Sequence, residues 1–256
     1  GCVQEELGST PSPTGNGIRF TLTVPDVNLP SVSSRTMTGT GTAKKEDEIE
    51  TVDILVFDMS KTPAVYLECV SATGVTQDLA DNSAVLSPTT ASTCIVVVAN
   101  KELDNIVPGF IKGTTTKVEA MEKMLHAQTG KWLADGSTTD GYTRIPMYGE
   151  KVISKITPSM DPITGINMKR MLARIDIRNN SATSNFTVEE VYLANYNTTG
   201  YIAPAWNTNG QVTDPAPDTP VLPVNSGKMT EEGDAILYSV NGNTPYEGEI
   251  YTFESI

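Results

Sequence analysis

The first structured segment of the chain is marked by a strict alternation of apolar and polar residues. Within residues 18–24, Ile18, Phe20, Leu22 and Val24 take every second position, and Arg or Thr fills the positions between them. Successive side chains of a β-strand point to opposite faces of the sheet. The pattern therefore predicts a strand with one buried and one exposed face.

Similar patterns predict most of the remaining chain to be short strands separated by turns. The run CIVVVA at 94–99 is almost entirely apolar, which is typical of a central strand covered on both faces. The other predicted strands lie in the segments 51–59, 64–70, 144–156, 167–180, 185–197, 234–240 and 247–256. In 167–180, alternation predicts one strand that passes between two domains.

One helix is predicted, over residues 114–128. Val118, Met121 and Leu125 recur at helical spacing, and a run of threonines precedes them as a candidate N-cap. One helix among many short strands predicts a mainly β protein of the β-sandwich class.

Composition excludes several classes of function. The 256-residue chain carries a net charge of −13, which opposes binding to the phosphates of nucleic acids. His126 is the only histidine, so the usual parts of a zinc site or an acid–base relay are missing. No glycine-rich loop joins a strand to a helix, as nucleotide sites require. We therefore expect no catalytic residues, no metal and no cofactor, and predict that the chain is not an enzyme.

Three cysteines are present, and they raise two separate questions. Cys69 and Cys94 lie in predicted strands, where buried thiols and a disulfide between neighbouring strands both remain open. Cys2 precedes a Gly-, Ser-, Thr- and Pro-rich stretch that cannot bury enough apolar area to order itself, so residues 1–17 are predicted to be a flexible tether. A cysteine at the free end of a tether suits lipid attachment, as in a bacterial lipoprotein; a chance cysteine is the alternative.

A polar, glycine-containing segment at 25–48 follows the first strand, and it contains Arg35. Such a sequence predicts an exposed loop that proteases can reach. Arg19 lies within the strand itself, where pairing should protect it from cleavage.

The order of these pieces resembles the fimbrillins of Bacteroidales, the pilus subunits of the FimA/Mfa1 type. The most specific matching stretches are VDILVFD, VVVAN and MLARIDI, and the resemblance extends from Cys2 to about Asn180. It implies a mainly β fold of two tandem transthyretin-like β-sandwich domains with one short helix in the first. The corresponding boundaries are 18–175 for the N-terminal domain and 176–256 for the C-terminal domain.

The resemblance also implies a maturation pathway. The protein would be exported as an outer membrane lipoprotein through Cys2, and a trypsin-like protease would then cut after Arg35, before Thr36. Removal of the strand 18–24 would open a groove for a strand from another copy or a sister subunit, which would build an extracellular fimbrium. The partners implied are these subunits, the membrane before processing, the protease, and a host glycan or protein receptor, with no nucleic acid.

Elementary energetics agree with a detachable strand. Burying Ile18, Phe20, Leu22 and Val24 would contribute roughly 1.5–3 kcal/mol each, or roughly 6–12 kcal/mol together. Losing them would expose an apolar groove and a row of unpaired backbone groups, which is a template for another strand.

Two alternatives stay open from sequence. The protein could be a surface lipoprotein that never polymerises and binds a glycan or protein, with Tyr192, Tyr196, Tyr201 and Trp206 as a stacking platform; core packing of these rings is the competing interpretation. Residues 176–256 are short for a complete sandwich, so the sequence could be truncated at its C-terminus, or the protein could be a tip or accessory subunit that ends early. The source of the donated strand is likewise open.

Overall fold

The structure, a computed structural model, describes residues 18–23, 48–75, 82–128, 130–132, 144–179, 185–212, 221–223 and 232–254. These residues form a mainly β protein with several sheets and one α-helix, α1, at Lys117–Lys123. The strands are β1 Ile18–Thr23, β2 Val52–Asp58, β3 Val65–Ser71, β4 Asn82–Ala84, β5 Thr93–Ala99, β6 Leu125–Ala127, β7 Met147–Ile153, β8 Ile163–Asn167, β9 Lys169–Arg170, β10 Ala173–Ile177, β11 Glu190–Leu193, β12 Thr199–Tyr201, β13 Ile236–Ser239 and β14 Tyr246–Thr252. Short 3₁₀ turns lie at Val107–Gly109 and Glu232–Asp234.

A five-stranded antiparallel sheet in the order β3-β2-β5-β7-β9 forms the centre of the molecule. Every residue of β5 is buried, and so is every residue of β2 except Asp58 at its end. The continuous apolar runs of these strands require cover on both faces of the sheet, because each face presents apolar side chains. The prediction of a central strand over 94–99 is thus confirmed.

The two faces of this sheet belong to two different apolar clusters. On one face, Ile54, Val56, Ile95 and Val97 pack in a cluster with the apolar side chains of β1 and β8. We call this cluster the β1-side core. The other face, which includes Tyr148 of β7, packs in a second cluster with α1 and with the aromatic side chains near the end of the described chain. The sheet is therefore the middle layer of the molecule, and β1 belongs to an outer layer.

Helix α1 is shorter than the predicted helix 114–128. It begins with a capping box, in which the Thr116 side chain accepts from the backbone N–H of Glu119 and the Glu119 carboxylate accepts from the backbone N–H of Thr116. It ends at Lys123, and His126 lies on β6, not on a helix. Pairing of β6 with β12 overrides the helical periodicity of this stretch, because the tertiary partner satisfies its backbone groups instead.

The predicted single strand over 167–180 is also wrong. The chain makes β9, bends at residues 171–172, and then makes β10. The bend is needed because β9 extends the five-stranded sheet, whereas β10 pairs with β14. Met171 is buried at the bend, but Ile175 is 37% exposed, so the alternating residues do not share one buried face.

The later part of the described chain contains two small antiparallel sheets, β10-β14 and β11-β13. They enclose a third apolar cluster, built around Tyr196, Ile236, Tyr238 and Ile250. The predicted domain boundary between residues 175 and 176 falls inside β10, and the two-domain division stays a prediction.

A partly buried ion pair joins α1 to the central sheet, and a hydrogen bond from the same lysine reaches the later part of the chain. Lys117 at the start of α1 is only 1% exposed, and its Nζ lies 2.6 Å from Oε2 of Glu150 on β7. The same ammonium donates to the carbonyl oxygen of Gly210, at 2.5 Å. Tyr148 donates its hydroxyl to the same carboxylate oxygen at 2.7 Å, which satisfies the buried charges together.

Among the described residues, no helix combines the length and the apolar character needed to cross a membrane.

Candidate functional site: the position of β1 between β4 and β8

Strand β1 has the alternating burial that its sequence predicts. Ile18, Phe20 and Leu22 are 6%, 1% and 6% exposed, whereas Arg19 and Thr23 are exposed. The three apolar side chains lie in the β1-side core, against the central sheet. Burial of these three contributes roughly 4.5–9 kcal/mol, at roughly 1.5–3 kcal/mol each.

β1 is the middle strand of a three-stranded outer sheet. It pairs antiparallel with β4, where Ile18 lies opposite Ala84, and parallel with β8, where Leu22 lies opposite Ile166. We call the space that β1 occupies between β4 and β8 the β1 slot. Because both backbone edges of β1 are paired, its removal would leave two sheet edges without partners.

The β4 wall of the β1 slot is also bonded on its other side. Thr73 and Ser83 exchange two backbone hydrogen bonds, of 2.8 and 3.0 Å. Just beyond β4, the backbone N–H and the hydroxyl of Ser87 donate to the two carboxylate oxygens of Glu68 on β3, both at 2.6 Å. These bonds tie β4 to β3 and its extension without the help of β1.

The β8 wall is held by the chain itself. β8 leads through the fully buried Met168 directly into β9 of the central sheet. Lys151 on β7 donates its ammonium to the carbonyl oxygen of Thr164. β8 passes so close to β7 that a Cβ on Gly149 would lie 2.7 Å from Sδ of Met168 and 3.0 Å from the carbonyl oxygen of Asn167. A glycine is therefore required at this crossing.

The chain that enters β2 is anchored by Asn100, which directly follows β5. Its Nδ2 donates to the carbonyl oxygens of Glu48 and Ile145, at 2.8 and 3.0 Å, and its Oδ1 accepts from the backbone N–H of Glu50 at 2.9 Å. Arg144 adds ion pairs of 3.2 Å to Glu48 and 2.7 Å to Glu50. Asn100 and Arg144 thus hold the segment 48–50 against the ends of β5 and β7.

Sequence reasoning missed Asn100 and Arg144. The available signal was the asparagine that ends VVVAN, because Asn is one of the few residues that readily adopts a positive φ, and φ is +58° here. Arg144 gave no signal, since its partners are almost a hundred positions earlier in the chain.

Several predicted site residues lie outside the described residues. These are Cys2, Val24, Arg35 and Thr36, together with the tether 1–17 and almost all of the loop 25–48. Their roles stay predictions.

Cys69 and Cys94 are not joined to each other, because Cys94 is a free, buried thiol. They lie on β3 and β5, and β2 runs between these strands. Strands two positions apart in a sheet are separated by about 9.6 Å, whereas a disulfide requires Cα atoms about 4.4–6.8 Å apart. Burial raises the pKa of the Cys94 thiol to about 12, so it is uncharged and unreactive.

The four aromatic residues proposed as a stacking platform occupy different environments. Tyr192 is 60% exposed on β11, whereas Tyr196 is buried in the third cluster. Tyr201 and Trp206 pack edge to face, with ring centroids 5.0 Å apart, and Trp206 also packs against the cluster around α1. Packing accounts for Tyr196, Tyr201 and Trp206, which leaves Tyr192 as the exposed ring.

His126 is packed among aromatic rings. Its ring centroid lies 5.0 Å from that of Trp132 and 6.4 Å from that of Phe253. Burial, and secondarily the charge of Lys101, lower the pKa of His126 to about 4, so it is neutral near pH 7. In the part of the chain that the structure describes, no three His, Cys, Asp or Glu side chains gather to hold a metal ion.

Comparison with solved structures finds similar chains in Bacteroidales. A candidate cell adhesion protein from Parabacteroides distasonis is 18% identical with a TM-score of 0.49, over 94% of this chain and 71% of that one. A candidate polysaccharide-binding protein from Bacteroides thetaiotaomicron is 12% identical with a TM-score of 0.43, over 82% and 65%. The tip fimbrial protein Mfa3 from Porphyromonas gingivalis, with a C-terminal truncation, is 16% identical with a TM-score of 0.41, over 84% and 67%.

This chain therefore spans about two thirds of the length of these solved chains. No curated protein sequence matches it at a significant level. The model of one protein family, the fimbrillin-A associated anchor proteins Mfa1 and Mfa2, matches residues 13–251, which is nearly the whole sequence. The match confirms the resemblance to fimbrillins, and membership of this family makes the chain a pilus-related protein of the cell surface or the extracellular fimbrium, not an enzyme. The chain belongs to the family of fimbrillin-A associated anchor proteins Mfa1 and Mfa2.

Proposed function

We propose that the chain is a fimbrial subunit in which β1 is a removable strand. In this proposal the protein is exported as a lipoprotein anchored through Cys2, and a trypsin-like protease cuts it between Arg35 and Thr36. β1 then leaves, and a strand from another fimbrial subunit enters the β1 slot. The observation that carries the proposal is the position of β1, which lies between β4 and β8 and contributes alternate apolar side chains to the β1-side core.

A removable strand must leave an intact receiving site, and the walls of the β1 slot meet this requirement. β4 is bonded to Thr73, Ser87 just beyond β4 is bonded to Glu68, and β8 is continuous with β9, so neither wall depends on β1 alone. The floor of the slot is the central sheet, whose strands are paired with each other. The slot should therefore persist long enough to accept a new strand.

Cleavage after Arg35 must also leave the rest of the chain in place. The anchor formed by Asn100 and Arg144 on residues 48–50 supplies this condition, because it holds the chain downstream of the cut. The cut would then release β1 from its covalent connection without loosening β2.

The incoming strand should repeat the chemistry of β1. It needs apolar side chains at every second position, to replace Ile18, Phe20 and Leu22, and backbone groups that pair with β4 and β8 on either side. Backbone pairing would supply affinity, and the three apolar contacts would fix its register, since a shift by one residue would point polar side chains into the core.

Limited proteolysis under native conditions tests this proposal. Trypsin should cut first after Arg35, as determined by mass spectrometry, and oligomers should then form, as measured by size-exclusion chromatography with light scattering. Arg35→Ala should lose this first cut and should oligomerise more slowly, with any remaining cleavage in the loop falling after Lys44 or Lys45. Arg19→Ala is the matched control; Arg19 is exposed but lies in a strand paired on both sides, so this change should leave the first cut and the oligomers unaltered.

Two results would reject the proposal. Arg35→Ala could polymerise as readily as the unaltered protein, or the cut protein could remain monomeric, which would favour the alternative of a surface lipoprotein that does not polymerise. The lipid anchor is tested separately by mass spectrometry of the native protein, where an unmodified Cys2 in the membrane fraction would exclude it.

A further inference from the structure

A cleft of about 240 Å³ opens beside the connection between β4 and β5. Its lining combines the end of β2, the middle of β3, the connection at residues 87–93, and the loop that precedes α1. The cleft shares no lining residue with β1, so it is distinct from the β1 slot.

The walls of this cleft are fixed by hydrogen bonds. The backbone N–H of Thr89 donates to the carbonyl oxygen of Ile156 at 3.0 Å, and the N–H of Ile156 donates to the Thr89 hydroxyl at 2.8 Å. Thr93 donates its hydroxyl to the carbonyl oxygen of Ala91 at 2.9 Å. A connection held in this way loses little conformational freedom when a ligand binds, which lowers the cost of binding.

The side chains around the cleft present donors and acceptors together. Asp58 accepts from the backbone N–H of Ser60 at 2.8 Å and keeps further acceptor positions, since a carboxylate offers about four. The exposed Lys112 offers an ammonium, and the exposed Thr90 offers a hydroxyl that both donates and accepts. Leu67 and Pro88 add apolar surface to the same lining.

This combination selects among ligand classes. A phosphate would meet the carboxylates of Asp58 and Glu68, and a metal cation would meet the ammonium of Lys112. An uncharged molecule with several hydroxyl groups and an apolar C–H face can use the carboxylates as acceptors, the ammonium as a donor, and Leu67 and Pro88 as a surface for its C–H groups. We propose that this cleft binds a single sugar residue of a glycan.

Amide NMR spectra with a panel of simple methyl glycosides test the proposal. The panel comprises the uncharged methyl glycosides of glucose, galactose, mannose, fucose and N-acetylglucosamine, each titrated to millimolar concentration. At least one should shift the amide signals of residues 87–93 in a saturable manner. Asp58→Asn and Lys112→Met should each raise the dissociation constant by about tenfold.

Lys123→Met is the matched control, since Lys123 is an exposed lysine on α1 that does not line the cleft, and it should bind like the unaltered protein. Lys112 is exposed, so its replacement decides the question even if Asp58→Asn disturbs the fold. The proposal is overturned if no glycoside shifts these signals, if the shifts lie elsewhere, or if Lys112→Met binds as tightly as the unaltered protein. Both cleft variants should still oligomerise after trypsin treatment, which separates this proposal from the proposed role of β1.

Discussion

Replacing Phe20 with alanine should weaken the binding of β1 in its slot more than any substitution at an exposed position of the same strand. Phe20 is 1% exposed and packs in the β1-side core, opposite Asn82 on one side and Ile163 on the other. Truncating a buried phenylalanine typically costs about 3–5 kcal/mol, from lost transfer energy and the cavity that remains. We expect the free energy of unfolding of the uncut protein to fall by about that amount.

After cleavage at Arg35 the same loss should appear as faster release of β1, because noncovalent contacts alone then retain the strand. If the whole loss is expressed in the dissociation rate, about 3–5 kcal/mol corresponds to release faster by a factor of about 10² to a few thousand. Urea denaturation measures the first effect. Release of a fluorescently labelled N-terminal fragment from the cut protein, followed by size-exclusion chromatography, measures the second.

Arg19→Ala is the control for both measurements, since Arg19 lies on the exposed face of β1. It should change the free energy of unfolding by about 0.5 kcal/mol or less. The reasoning is refuted if Phe20→Ala and Arg19→Ala have equal effects, or if Phe20→Ala destabilises the protein but leaves the release of the cut fragment unchanged.

Two further predictions concern groups away from β1. Asn100→Gly keeps the positive φ but removes three side-chain hydrogen bonds. At about 1 kcal/mol per bond, the free energy of unfolding measured in urea should fall by about 2–3 kcal/mol. A loss below about 0.5 kcal/mol would contradict the role of Asn100 as an anchor. The pKa of His126 is about 4 in the folded protein, below its ordinary value of 6.5. Between these two pH values the unfolded chain binds more protons than the folded one, so the free energy of unfolding should decrease as the pH falls from 6.5 to 4. Unfolding free energies measured across this range should decline less in His126→Gln, and equal declines would contradict the assignment.

The parts of the fold that depend on local pattern could be predicted from sequence. The alternation of 18–24 gave β1 with its correct buried face, and the apolar run at 94–99 gave the centre of the main sheet. The capping threonine located the start of α1. In each case one short segment contains the whole signal, since side-chain periodicity alone decides which face is buried.

The walls of the β1 slot could not be predicted, because their identity depends on contacts between distant segments. β4 has three residues and includes a buried Asn82, and β8 contains a glycine at positive φ, so neither has a clear strand pattern. The parallel pairing of Phe20 with Ile163 joins positions far apart in the chain. The early end of α1 and the bend at 171–172 have the same cause, which is a tertiary partner that overrides local preference.

The most direct test of the central claim adds a synthetic β1 peptide, with the sequence GIRFTLTV of residues 17–24, to the subunit cut after Arg35. A control peptide exchanges Phe20 and Thr21, which keeps the composition but breaks the alternation. Oligomer growth is followed by light scattering. If the β1 slot receives the assembling strand, the β1 peptide should keep the subunit monomeric in a dose-dependent way, and the control peptide should not. Growth that is equally insensitive to both peptides would contradict the account.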